Sequence, residues 1–334
     1  MPNAKIAGLG FHVPETTVDN HELSKKVNTS DEWIRERSGI IERHYFIEGK
    51  DTVANMGAKA ARMAIERAGI QAEDIDFIIF ATLSPDYYFP GSGVLLQREL
   101  GIAHTEIPAL DIRNQCSGFI YGISIADQFI KSGTYKNILL VGSEIQSPLF
   151  DYSDAGRHVT VLFGDGSGAA VIQATEESDQ GVLVTKIHSD GTEAEKLAVM
   201  APTTRKAPFI SNEMIENGDI YTVMDGRFVF KMAVTKFPEV VHEALDAAKL
   251  TLEDIDLFIP HQANLRIAEA VRKNLGLPEE KVYNNIMRYG NTTAASIPIA
   301  LTEAWEQGKV KKGDLVCLAA FGSGFTWGST LIRW

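Results

Sequence analysis

Apolar and polar positions alternate in this chain in a pattern that occurs twice. Residues 63–79 (MAIERAGIQAEDIDFII) overlay residues 243–259 (EALDAAKLTLEDIDLFI): Ala64, Ala68, Glu73, Asp74, Ile75, Asp76 and Ile79 recur as Ala244, Ala248, Glu253, Asp254, Ile255, Asp256 and Ile259. Each copy reads as an amphipathic helix with small residues on one face, ending near Gly69 or Lys249, then an acidic turn that delivers a short apolar strand. A second apolar run follows in each half, Ile138 to Val141 and Leu315 to Ala319. After it comes a glycine-rich strand, FGDGSGAAVI from Phe163 and FGSGFTWGSTLI from Phe321. The pattern predicts an α/β protein of two duplicated halves, residues 1–175 and 176–334. Strands alternating with helices predict largely parallel sheets covered by helices. The stretch 175–217 mixes Gly, Asp, Glu, Thr and Pro. It is expected to hold the boundary, as surface loops or a small excursion.

Composition narrows the function classes. The 334 residues are 45% hydrophobic and 23% charged, an ordinary globular balance that excludes disordered and collagen-like chains. The net charge is −12, and no run of Lys or Arg exceeds two residues. Duplex nucleic acid is therefore not the expected ligand. No uninterrupted apolar run approaches the ~18 residues of a membrane span, and the apolar stretch Ile6 to Phe11 is too short for a signal sequence. The expectation is a cytoplasmic protein with reduced thiols. Its two cysteines, Cys116 and Cys317, lie far apart and have no metal-ligand spacing, so no metal is expected.

Three residues carry candidate chemistry. Cys116 precedes an apolar helix expected from about Ser117 to Lys131, with Gly133 beyond its end. A thiol at a helix N-terminus faces unpaired N–H groups and the positive end of the dipole, which favour thiolate. Cys317, inside an apolar strand, reads as core. His261 directly follows the strand Leu257 to Pro260, where open α/β sheets present ligand crevices. The other seven histidines read as surface or structural. Asn291 lies at the start of the second-half helix that corresponds to the one at Cys116. A cysteine nucleophile divides a thioester transfer into two easier steps. A neutral histidine with an asparagine can donate hydrogen bonds to a second thioester carbonyl and stabilise an enolate. Papain-like hydrolases also run Cys, His, Asn in chain order, so a hydrolase shares this pattern. A non-catalytic carrier-binding protein is the other class to set against it.

The motifs NQCSGF, FGDGSGA, PHQANLRI, YGNTTAAS, FGSGFTWG and TSDEWIRERSGI, spread in order over the chain, resemble the β-ketoacyl-acyl-carrier-protein synthase III family of the thiolase superfamily. The resemblance implies a five-layered α-β-α-β-α fold, a homodimer, and condensation of an acyl-CoA primer with malonyl acyl carrier protein, without a cofactor. It implies that Cys116 is acylated, that His261 and Asn291 bind the malonyl thioester, and that the N–H groups of Cys116 and Ser323 form an oxyanion hole. Many members of the family have glycine where Ser323 stands. Phe89 is expected to close the partner's acyl pocket. Trp33, Arg37, Arg157, Arg227, Ala263 and Asn264 are expected around CoA, and Lys231, Arg266, Arg272 and Lys273 on a carrier-protein docking face. Thr29 and Glu32 also read as a capping box at the helix carrying Trp33. The loop before Arg157 is about two residues longer than the usual pattern, and Arg227 replaces a usual asparagine. These departures leave open a related condensing enzyme with a longer or specialised primer. A degradative thiolase fits less well, because FGSGFTWG has no second cysteine to act as base.

Overall fold

The computed structural model describes residues 2–177 and 179–334. Nine main strands form two sheets. The first contains β1 (Asn3–His12), β2 (Phe77–Ala81), β3 (Ala109–Ile112), β4 (Asn137–Glu144) and β5 (Gly166–Thr175), in the order β1-β5-β4-β2-β3. The second contains β6 (Gly181–Ser189), β7 (Leu257–Pro260), β8 (Leu315–Gly322) and β9 (Thr326–Arg333), in the order β7-β8-β9-β6. The helices that matter for the site are α1 (Asp31–Ser38), α2 (Val53–Ala68), α3 (Gly118–Lys131), α4 (Gly226–Ala248), α5 (Leu265–Leu275) and α6 (Ser296–Glu306).

Helices α3 and α6 pack between the two sheets, α2 covers the outer face of the first sheet and α4 that of the second. The result is an α-β-α-β-α stack. The central layer is apolar throughout: Phe119, Ile123 and Ile130 of α3 and Ile297 and Leu301 of α6 share one buried cluster with Leu140 of β4 and Leu318 of β8. Helix α2 lies against β1 at backbone distance. A Cβ on Gly8 would stand 2.1 Å from the Ala64 carbonyl oxygen and one on Gly10 2.3 Å from that of Ala60. Small residues on both elements are therefore a packing requirement.

The repeated segments adopt the same structure. Helix α2 ends at Gly69 (φ 70°) and α4 at Lys249 (φ 57°), each followed by a 3₁₀ turn, Ala72–Asp74 or Leu252–Asp254. In the turns Asp74 and Asp254 cap the N–H groups of Gln71 and Thr251 at 2.8 and 2.7 Å. The strands β2 and β7 follow.

The sheets are mixed rather than largely parallel. β2 runs parallel to β3 and β4, and β7 parallel to β8, but β4–β5, β8–β9, β1–β5 and β9–β6 are antiparallel. The cause lies in the connections. Only Ser323–Phe325 separate β8 from β9, too short for the crossover a parallel pair requires. Within the stretch expected to be loops, residues 181–189 instead form the edge strand β6, paired with β9; Ser178 of that stretch lies outside the described residues. Leu197–Val199 then pairs with Thr222–Met224 as a small separate ribbon. Among the described residues no helix is long and apolar enough to cross a membrane.

Candidate active site

The site forms where each half's sheet meets the other half's central helix. Cys116 lies in the 3₁₀ turn Gln115–Ser117 that opens α3, and Ala294 in the corresponding turn Thr293–Ala295 that opens α6. Gly322 at the end of β8 abuts the first turn: a Cβ there would meet Cys116 Cβ at 2.5 Å and Sγ at 3.0 Å. Gly142 in β4 abuts the second, with a Cβ 2.4 Å from the Ala294 carbonyl oxygen. Both turns also hold a non-glycine residue in the left-handed region, Gln115 (φ 42°) and Thr293 (φ 45°). Such a conformation costs on the order of 1–3 kcal/mol and persists only where the surroundings impose it.

One cleft of about 270 Å³ is lined by Cys116, His261 and Asn291 together with Gly322. Cys116 is only 8% exposed. Burial pushes its thiol up to about 12, with the nearby Glu144 carboxylate acting in the same direction; the backbone N–H groups of Cys116 and Ser323, aimed at the sulfur, oppose them. The expectation that the helix start favours a resting thiolate is therefore corrected: the loss of water around a buried sulfur anion outweighs those donors.

His261 is buried, and its Nδ1 lies 2.6 Å from Ser296 Oγ. Burial pushes its pKa down to about 3, so the ring is neutral near pH 7. Ser296 Oγ also accepts the Gln262 N–H at 3.4 Å; with the Ser296 hydroxyl as donor to Nδ1, the ring proton is on Nε2. That Nε2 is buried with no hydrogen-bond partner among the described residues. Asn291 is fixed by three bonds: its N–H donates to Leu162 O (2.8 Å), its carbonyl accepts from Gly164 N (3.1 Å), and its Oδ1 accepts from Thr293 N (2.9 Å). Its Nδ2 is left as a donor. Ser323 donates its hydroxyl to Leu197 O at 2.5 Å, which ties the turn beside the sulfur to the small ribbon.

The chain belongs to the 3-oxoacyl-ACP synthase III family. Residues 110–191 match the family described as "3-Oxoacyl-[acyl-carrier-protein (ACP)] synthase III", and residues 245–334 match its C-terminal domain. The β-ketoacyl-ACP synthase III of Brucella suis is 46% identical over 339 residues, covering 100% of both chains, and that of Coxiella burnetii is 43% identical over 333 residues with the same coverage. The crystal structure of the Aquifex aeolicus VF5 enzyme superposes with a TM-score of 0.90 at 43% identity, covering 99% of this chain and 100% of that one. The protein is thus a condensing acyltransferase of the synthase III type with the thiolase-like fold.

In this synthase III chain the outer cleft gathers most of the residues expected around CoA. Two guanidinium groups stand over the Trp33 ring, Arg157 at 5.1 Å and Arg37 at 5.5 Å from its centroid, and Arg157 also donates to Asn28 O at 3.0 Å. Trp33, Arg37, Ala263 and Asn264 line the cleft. Asn264 caps α5, accepting from Arg266 N at 2.9 Å, and donates to Arg37 O at 3.0 Å. Arg227 does not line it: it is exposed at the start of α4, where Gly226, Val229 and Phe230 face the cleft instead. His158, read as a surface residue, is exposed and stands on the cleft's lining. The cap of α1 is displaced by one residue from the expected Thr29. Ser30 has the extended backbone of an N-cap and accepts from Trp33 N at 3.1 Å, whereas Thr29 Oγ1 is buried without a partner. Phe89 is 81% exposed on the YFPGSG loop and is not among the residues lining the two cavities at Cys116. Lys231, Arg266 and Lys273 are exposed on α4 and α5, but Arg272 is held by Glu269 (2.9 Å) and donates to Leu277 O (3.0 Å).

Ser296 carries no expectation in the sequence. Its relation to His261 spans 35 residues and exists only once α6 is docked beside β7.

Proposed function

We propose that this synthase III catalyses decarboxylative condensation of an acyl-CoA primer with malonyl acyl carrier protein, as a homodimer and through acyl-Cys116. The observation that carries the reading is the convergence of Cys116, His261 and Asn291 on one cleft, with the Cys116 and Ser323 N–H groups aimed at the sulfur. The adenine and phosphate end of CoA meets Trp33, Arg37 and Arg157, and the thioester carbonyl reaches Cys116. Sulfur attacks that carbonyl, the two N–H groups hold its oxygen, and the bond to CoA breaks, with the thiol proton leaving on the CoA sulfur. Malonyl carrier protein then takes the vacated cleft, its acidic surface meeting Lys231, Arg266 and Lys273.

His261 Nε2–H and Asn291 Nδ2 donate to the malonyl thioester oxygen. The bond to the carboxylate breaks, carbon dioxide leaves, and the electron pair becomes an enolate held by those donors. The enolate carbon attacks the acyl carbonyl, the bond to Cys116 breaks, and the thiolate regains a proton from solvent. A neutral histidine suits this step, since it stabilises the oxyanion without having to shed a proton. Exposed Tyr87, Tyr88 and Phe89 beside the open edge of β3 supply an apolar surface for the second copy.

The test is a coupled assay with acetyl-CoA and malonyl carrier protein for wild type and Cys116→Ser. β-Ketoacyl carrier protein from the wild type alone supports the reading. Free acid without condensation product would assign a hydrolase, and equal product from the variant would remove Cys116 from the mechanism.

A further inference from the structure

Glu144 closes β4 with its side chain wholly buried, and no step of the condensation uses it. A carboxylate taken out of water is costly unless donors meet its oxygens. Here it accepts from the Thr82 hydroxyl (3.0 Å), the Leu83 and Ser84 N–H groups (3.1 and 3.2 Å) and the Ser84 hydroxyl (2.6 Å), all just beyond the end of β2. Burial raises its pKa, and these donors oppose that rise together with a side-chain hydrogen bond from Thr293. The Thr293 bond differs from the others in reach: it joins β4 of the first sheet to the 3₁₀ turn that opens α6 in the other half.

Thr293 is gripped twice from the first half. Its Oγ1 accepts from Gln146 Nε2 at 3.2 Å, with both residues buried, and its hydroxyl donates to Glu144, since an ionised carboxylate only accepts. These bonds hold a β-branched residue at φ 45°, a backbone conformation it does not adopt unaided. The Thr293 N–H then donates to Asn291 Oδ1 at 2.9 Å. An amide is planar, with its oxygen and nitrogen at opposite corners, so fixing Oδ1 fixes the direction of Nδ2. The Asn291 backbone is held separately, by Leu162 O and Gly164 N. Loosening Thr293 therefore frees the amide while its backbone stays in place.

We propose that Glu144 is a positioning residue for the malonyl step: it holds Thr293, and through Thr293 the Asn291 amide, so that Nδ2 stays aimed at the thioester oxygen. This rests on the role given to Asn291 above. Glu144 touches no substrate atom and changes no bond during the reaction; its contribution is the fixed direction of a donor that must not reorganise as the enolate forms.

The experiment loads the full-length wild type, Glu144→Gln, Thr293→Ala, Thr293→Ser and Asn291→Ala with acetyl-CoA, removes CoA, and follows by intact mass the rate of loading and then of transfer over a range of malonyl carrier protein concentrations. Glu144→Gln and Thr293→Ala are expected to load with little loss but to transfer about tenfold or more slowly at saturating carrier protein, a part of the ~100-fold that one oxyanion donor can supply. Thr293→Ser keeps the hydroxyl and is expected to restore transfer. The two Thr293 variants carry the test should Glu144→Gln fail to fold. Wild-type transfer from Thr293→Ala, a loss of loading as large as the loss of transfer, or a Thr293→Ser variant as slow as Thr293→Ala would each overturn the inference. If only Asn291→Ala is slow, the positioning claim falls alone; if Asn291→Ala transfers like the wild type, the role of Asn291 itself falls.

Discussion

Adding a single methyl group at Gly322 probes how tightly the two halves must meet at the sulfur. The Cβ of Gly322→Ala would stand 2.5 Å from Cys116 Cβ, 3.0 Å from Sγ and 3.2 Å from the Cys116 nitrogen. Carbon atoms in contact prefer about 3.5–4.0 Å, so the two segments must separate by roughly 1 Å. Overpacking of this kind costs about 1–3 kcal/mol. With an unfolding entropy near ~2.1 cal/mol/K per residue, a chain of 334 residues should lose only roughly 1–4 °C in Tm. The catalytic effect should be much larger, since a misplacement of about 1 Å at a reacting centre can cost on the order of 100-fold. The displacement also moves the Ser323 N–H away from the sulfur. Stopped-flow or quenched acylation by acetyl-CoA, followed by intact mass, reads the rate, and a thermal melt reads Tm. A variant with wild-type acylation at a normal Tm would refute the claim that the β8 terminus fixes the nucleophile.

The remaining predictions concern charge and caps. His261 is neutral when folded, with its pKa lowered by burial from 6.5 to about 3. Between those values the unfolded chain binds the proton, so this residue makes stability fall as pH falls below about 6.5, by roughly 2 kcal/mol at pH 5. The Tm difference between wild type and His261→Gln should therefore shift in the variant's favour from pH 7 to pH 5; a constant difference would contradict a neutral buried ring. Because burial and Glu144 raise the Cys116 thiol, iodoacetamide should alkylate it more slowly at pH 7 than a free cysteine, and Glu144→Gln should speed the reaction; an unchanged rate would deny the electrostatic contact. Ser30→Ala should destabilise by about 1 kcal/mol through loss of the cap, measured by denaturant melts, whereas Thr29→Ala, which removes an unpartnered hydroxyl, should cost less. The reverse order would restore Thr29 as the cap.

Local chemistry was legible where a residue's role depends on its neighbours in sequence. The EDID repeat marked two helix ends at Gly69 and Lys249, two Asp-capped turns and two strands, because capping acts within a few residues. Strand direction was not legible from alternation of elements: it depended on the three residues between β8 and β9. The cap of α1 required the backbone conformation of Ser30, since Thr29 and Ser30 offer the same hydroxyl chemistry. The state of the Cys116 thiol was not legible, because the favourable helix start is visible in sequence while its burial and the approach of Glu144 are tertiary. Ser296 was invisible for the same reason.

The most direct test of the account is a single turnover on pre-acylated enzyme. Wild type, His261→Ala and Asn291→Ala are loaded with acetyl-CoA, freed of CoA and mixed with malonyl carrier protein, and the adduct on Cys116 and the β-ketoacyl product are followed together by mass. The division of labour drawn here predicts that all three load, that the wild type transfers its acyl group within the first turnover, and that both variants retain it. Transfer at the wild-type rate from either variant would contradict the assignment of His261 and Asn291 to the malonyl step.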